Sequence, residues 1–156
     1  MKILFNEHPN KGFQRVGYCS YYGEIFYALE EVCEVTSSCG VPSRTSEFGS
    51  GYDAIVMGFG HTDCGDAGPM PTINDNSIPL FPILNKEYTG LKQKLEWIKN
   101  MKQTAALTVH HDTEEYSKIT GVPFHRIMWS ANENLFKDYG EDYKYDLFFS
   151  GVTRPC

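Results

Sequence analysis

Two histidines and an aspartate stand side by side in "ALTVHHDTEEYSK" (Ala106–Lys118), directly after an apolar run. Imidazole exchanges a proton near neutral pH, so His110 and His111 are candidates for a general base, a ligand contact or a metal site. The spacing opposes the metal. Adjacent side chains of a strand point to opposite faces, and the His-x-x-x-His spacing of helical zinc sites is absent. Asp112 has two readings, a partner to an imidazole or the N-cap of a helix beginning at Thr113. Capping is the preferred one.

Two further clusters invite chemistry and lose it on inspection. Gly12 and Gly17 are separated by four residues, the opening of a phosphate-binding loop. Tyr18 and Cys19 then replace the lysine and hydroxyl residue that such a loop needs. The glycines still let the backbone approach a ligand, and a helix start after Ser20 favours an anion. In "GHTDCGDAG", His61, Asp63, Cys64 and Asp66 crowd together but match no standard ligand spacing. A solvated surface loop is the plainer account. Tyr18, Tyr21 and Tyr22 beside the first loop can stack on a sugar or base, although aromatic side chains mostly build cores.

These residues must be positioned by strands and helices. "KILFN" (Lys2–Asn6) reads as a buried strand, and Tyr22, Ile25, Phe26, Leu29 and Val32 form one helical face. "CEVTS" reads as a second strand and "YDAIVMGFG" (Tyr52–Gly60) as the clearest buried one. The segment from His61 to Ser77 is loop-like. "LFPIL" (Leu80–Leu84) contains Pro82, which predicts an edge or an irregularity. Tyr88, Leu91, Leu95, Ile98 and Met101 make a helical stripe, with Lys and Glu on the other face. Ala105–Val109 is a strand, Thr113–Thr120 a short helix ended by "GVP", "FHRIMW" a further strand and "YDLFFSG" a last apolar one. Apolar runs alternating with amphipathic helices predict an α/β fold, a mainly parallel sheet of at least five strands between helical layers. Ligands of such sheets bind beyond the carboxyl ends of the strands. His111 is then expected at that edge, open to a groove lined by Gly12–Ser20, with His110 on the opposite side.

The whole chain sets outer bounds. Its 156 residues, 41% hydrophobic and 22% charged, suit one folded domain with a real core. A net charge of −6 opposes nucleic acid as a partner. No run approaches the length of a membrane span or signal peptide. The five cysteines include no Cys-x-x-Cys pair, so free thiols in a reducing, cytoplasmic setting are expected.

Four pieces carry a family resemblance: "KILF" with the glycine-bearing loop after it, "YDAIVMGFG", "LTVHHD" and "PFHRIMWSANENLF". Together they resemble the N-terminal, Rossmann-like domain of a GT-B-fold glycosyltransferase, of the spore-maturation-protein-like and group-one kind. The resemblance implies transfer of a sugar from a nucleotide-sugar donor to a glycan or other acceptor, with no metal or other cofactor. It gives His111 a place at the interdomain cleft against the donor sugar, with His110 as second candidate. It also implies substrate contacts at Gly12, Gly17, Tyr18, Asp112 and Asn132. "RIMWSANEN" lacks the proline and the Asn-Gly-Val-Asp run common in the group-one enzymes. "YDLFFSGVTRPC" corresponds to the strand that opens the family's second, donor-binding domain. The resemblance therefore implies an acceptor-side domain over 1–144 and an interdomain segment over 145–156. It would be a fragment or one member of a split enzyme, pairing with a separate donor-binding domain or chain or with itself. Two other classes compete: a non-catalytic, flavodoxin-like module that binds a small ligand or a partner, and an unrelated α/β enzyme using His111 as general base.

Overall fold

The computed structural model describes residues 1–7, 21–39, 45–58, 77–84, 89–101, 103–128 and 140. Its elements run β1 (Lys2–Glu7), α1 (Tyr21–Glu30), β2 (Glu34–Cys39), a tight helical turn (Thr45–Phe48) and β3 (Ala54–Met57). Then follow β4 (Leu80–Leu84), α2 (Leu91–Asn100), β5 (Ala106–Thr108), α3 (Thr113–Thr120) and β6 (Phe124–Arg126). All six strands join one sheet in the order β2-β1-β3-β4-β5-β6. Every neighbouring pair is parallel. The chain is an α/β protein.

The chain starts in the middle of the sheet and builds outward in both directions. From β1 it crosses to β2 on one side, then returns past β1 to β3 and continues to β6. With a constant crossover hand, that reversal sends α1 to one face and α2 and α3 to the other. The core divides accordingly. Ile3, Phe5, Val56 and Ile83 pack with Phe26 of α1. Leu4, Ile55, Met57, Leu80, Leu84 and Ala106 pack with Leu95, Trp97 and Ile98 of α2 and Tyr116 of α3. Alternate residues of β1 and β3 thus serve opposite layers, which is why both strands are continuous apolar runs.

The amino edge of the sheet carries its own clamp. The Lys2 backbone N–H donates to Asp53 Oδ2 at 2.7 Å, and Lys2 Nζ lies 3.5 Å from Glu34 Oε1 and 5.2 Å from the Tyr52 ring centroid. These groups join β1 to the starts of β2 and β3, far from the edge where ligands bind. Such exposed ion pairs add little to stability.

Three expectations change. Pro82 does not make β4 an edge strand, because β4 lies between β3 and β5. The Thr104 N–H donates to the Leu80 carbonyl, and alternate residues of a parallel strand face the same neighbour, so the N–H that Pro82 lacks is on the β5 side. There pairing begins only at Ile83 with Leu107, and the sheet loses one ladder bond rather than a strand. Lys94 is fully buried, not on the polar face of α2. Leu91, Lys94, Leu95 and Ile98 share the i, i+3, i+4, i+7 stripe, so position 94 is covered whatever occupies it. Val32 falls beyond the end of α1 and is 79% exposed, outside the helical face assigned to it.

Phe26 is fully buried and meets Phe5 edge to face at 6.0 Å. It is the main anchor of α1. Phe26→Ala is expected to cost about 3–5 kcal/mol in urea denaturation, whereas Val32→Ser stays within about 0.5 kcal/mol.

Candidate functional site

The strand order places chemistry at one edge. In sheets wound 2-1-3-4-5 the crevice opens where the order reverses, beyond the carboxyl ends of β1 and β3. Asn6, Ser38, Met57 and Gly58 stand at that point, and the bend after β5 carries the two histidines along the same edge.

The bend has a local cause. β5 ends at Thr108, so Val109, His110 and His111 are no longer strand residues. The buried Thr108 hydroxyl accepts the His110 backbone N–H at 3.2 Å, a turn closed by a side chain two residues back. The Thr108 carbonyl accepts the Ile127 N–H at 2.7 Å and locks the turn to the residue after β6. Strand alternation therefore does not set the directions of His110 and His111. His110 is half-buried, whereas His111 and Asp112 are exposed.

Helix α3 starts directly after them. Asp112 occupies its N-cap position as expected, but its side chain makes no capping hydrogen bond. Its φ of −83° and ψ of 33° lie outside the extended region in which a cap side chain reaches back to the helix. The backbone alone joins the helix, through Tyr116 N–H to the Asp112 carbonyl at 2.9 Å. The far end of α3 is anchored more firmly. Gly121, with φ 73°, supplies the left-handed C-cap. Ser117 Oγ accepts the Phe124 N–H at 3.0 Å, and Thr120 Oγ1 accepts the Val122 N–H at 3.1 Å. Tyr116 then packs edge to face on Phe124 at 5.5 Å. The rigid connection from α3 to β6 holds the helix start, and His111 with it, at the carboxyl edge.

His111, Asp112, Thr113, Glu114, Glu115 and Lys118 line an open groove of about 530 Å³. Three carboxylates face one ammonium there, so the groove offers hydrogen-bond acceptors and repels phosphate. His111 and Asp112 therefore share a groove, while half-buried His110 is not among its lining residues. Gly12, Gly17, Tyr18, Ser20 and Asn132 lie outside the described residues, as do the His61–Asp66 cluster and the 145–156 segment. The described residues contain no group of three His, Cys, Asp or Glu placed to hold a metal. They also contain no helix long and apolar enough to cross a membrane. Cys33 is a free thiol that donates to the Leu29 carbonyl at 3.2 Å.

Sequence reasoning passed over two residues of this edge. Asn6 reads as the end of an apolar strand, yet it is a fully buried amide at the point of reversal. Arg126 reads as a strand residue, yet it is exposed at the end of β6, in register with Thr108. The polar residue closing "KILFN" was the available signal for the first. No family model, curated protein or solved structure matches the chain.

With no capping hydrogen bond, Asp112 supports α3 only through its charge near the helix N-terminus. Asp112→Ala is expected to cost about 0.3–1 kcal/mol at low ionic strength, and the loss should vanish in 1 M salt, where charges are screened within about 3 Å. Denaturation of both proteins at low and high salt measures this. A loss that persists at high salt would reveal a cap hydrogen bond.

Proposed function

We propose that the chain is the acceptor-side domain of a GT-B-type glycosyltransferase, one that moves a sugar from a nucleotide-sugar donor to a glycan or other acceptor. The observation that carries the reading is the His111 groove at the carboxyl edge of a parallel α/β sheet. The family resemblance gives a histidine at this position to the donor sugar. The groove's charge agrees with that role: its carboxylates accept hydrogen bonds from sugar hydroxyls, while the imidazole approaches the sugar near the reacting centre. A diphosphate is repelled there. Its charge is offset instead by groups of a donor-binding domain or a second chain, without a metal.

A second reading has its own support. The first five strands follow the flavodoxin-like order 2-1-3-4-5, whereas the dinucleotide-binding Rossmann order is 3-2-1-4-5-6. That order favours a module that binds a small ligand or a partner at the β1/β3 crevice without catalysis.

Turnover separates the two. Sugar transfer needs donor and acceptor held in attacking geometry, an advantage of about 7–11 kcal/mol in favourable cases. One side of a cleft does not provide it. The isolated chain is expected to show no robust turnover with a panel of nucleotide sugars, and activity is expected on adding a separate donor-binding domain or chain. In that complete system His111→Ala should lower kcat by about 100-fold or more. Robust turnover by the isolated chain overturns the half-enzyme reading. Nucleotide or partner binding with no transfer in any combination establishes the module.

A further inference from the structure

We infer that the Asn6 amide is the buried end of a binding subsite for a sugar or ribose hydroxyl, in the crevice between β1 and β3. Asn6 is 0% exposed and stands one residue from the end of β1, in register with Ser38 of β2 and Met57 of β3. It shares a sheet face with Leu4 and Met57. Its Nδ2 donates to Ser38 Oγ at 3.1 Å, which fixes the plane of the amide. Among the described residues its Oδ1 has no hydrogen-bond partner. The main chain does not account for this, because the Asn6 carbonyl is already bound by the Gly58 N–H at 2.8 Å.

A buried carbonyl oxygen without a donor is costly. Leu4 shows that this face takes leucine two residues earlier. Packing therefore does not call for an amide at position 6. Its place does: the strand order reverses here, and beyond this reversal such sheets bind ligands. The chemistry of the free atom selects the ligand group. Oδ1 only accepts, and a phosphate or carboxylate at neutral pH has no proton to offer. A hydroxyl does. Asn6 Oδ1 thus calls for a neutral, hydrogen-bond-donating part of a ligand such as a hydroxyl, complementing the acidic groove at His111. The choice of a sugar as ligand rests on the transferase reading; the existence of the subsite does not.

The test follows the Asn6 side-chain amide by NMR during separate titrations with glucose, uridine and inorganic phosphate. Glucose or uridine is expected to shift that resonance, the one that acts marking a sugar or a nucleoside ribose, while phosphate leaves it in place. Asn6→Leu should keep the folded circular-dichroism spectrum and bind the active probe at least tenfold more weakly. Three results overturn the subsite: no shift with glucose or uridine, a shift with phosphate, or equal binding by the Leu variant. The two readings fail separately. Sugar binding at Asn6 without transfer in any combination removes the transferase alone, and full transfer by Asn6→Leu in the complete system removes the subsite alone.

Discussion

Everything in this protein is arranged around the double burial of β1. Ile3 and Phe5 face the α1 layer while Leu4 faces the α2 and α3 layer, so three consecutive side chains leave water in opposite directions. Hydrogen bonds to β2 on one side and β3 on the other complete the strand. At about 1.5–3 kcal/mol for each large side chain, this short segment supplies a substantial part of the driving force for assembly. It also imposes the topology. A central first strand forces the chain to build both ways, and that reversal creates a crevice.

The two edges of the sheet then take different work. At the amino edge, Lys2 engages Asp53, Glu34 and Tyr52, while the buried Gln103 amide ahead of β5 has both polar atoms without a hydrogen-bond partner among the described residues. At the carboxyl edge, Asn6 keeps an acceptor without a partner among the described residues, and His111 lies in an open groove beside three carboxylates. Natural sequences depart from local consistency mainly where binding requires it. The carboxyl edge is the one that α/β sheets use for ligands, and the supports around it are rigid. Thr108 holds the histidine bend from below, while Gly121, Ser117 and Thr120 tie α3 to β6.

Buried apolar runs and helical stripes were legible in the residues alone. "KILFN", "AIVM" and the Leu91–Met101 stripe announce two-sided strands and an amphipathic helix, because a side chain's need to leave water is a local property. Glycine after Thr120 likewise announces the end of α3, since the left-handed conformation there suits a residue without Cβ. An α/β protein with a parallel sheet followed from these parts. Strand neighbours did not. The interior place of β4 depends on where a missing N–H falls relative to β5, and the burial of Lys94 depends on which helix face meets the sheet. Asp112 illustrates the same limit, as a residue of the right type at the N-cap position whose backbone angles keep its side chain from the cap. The sequence by itself determined which segments must be buried and in what secondary structure. Only the tertiary structure decided the order of strands and the company of Asn6 and His111, because those depend on contacts between residues distant along the chain.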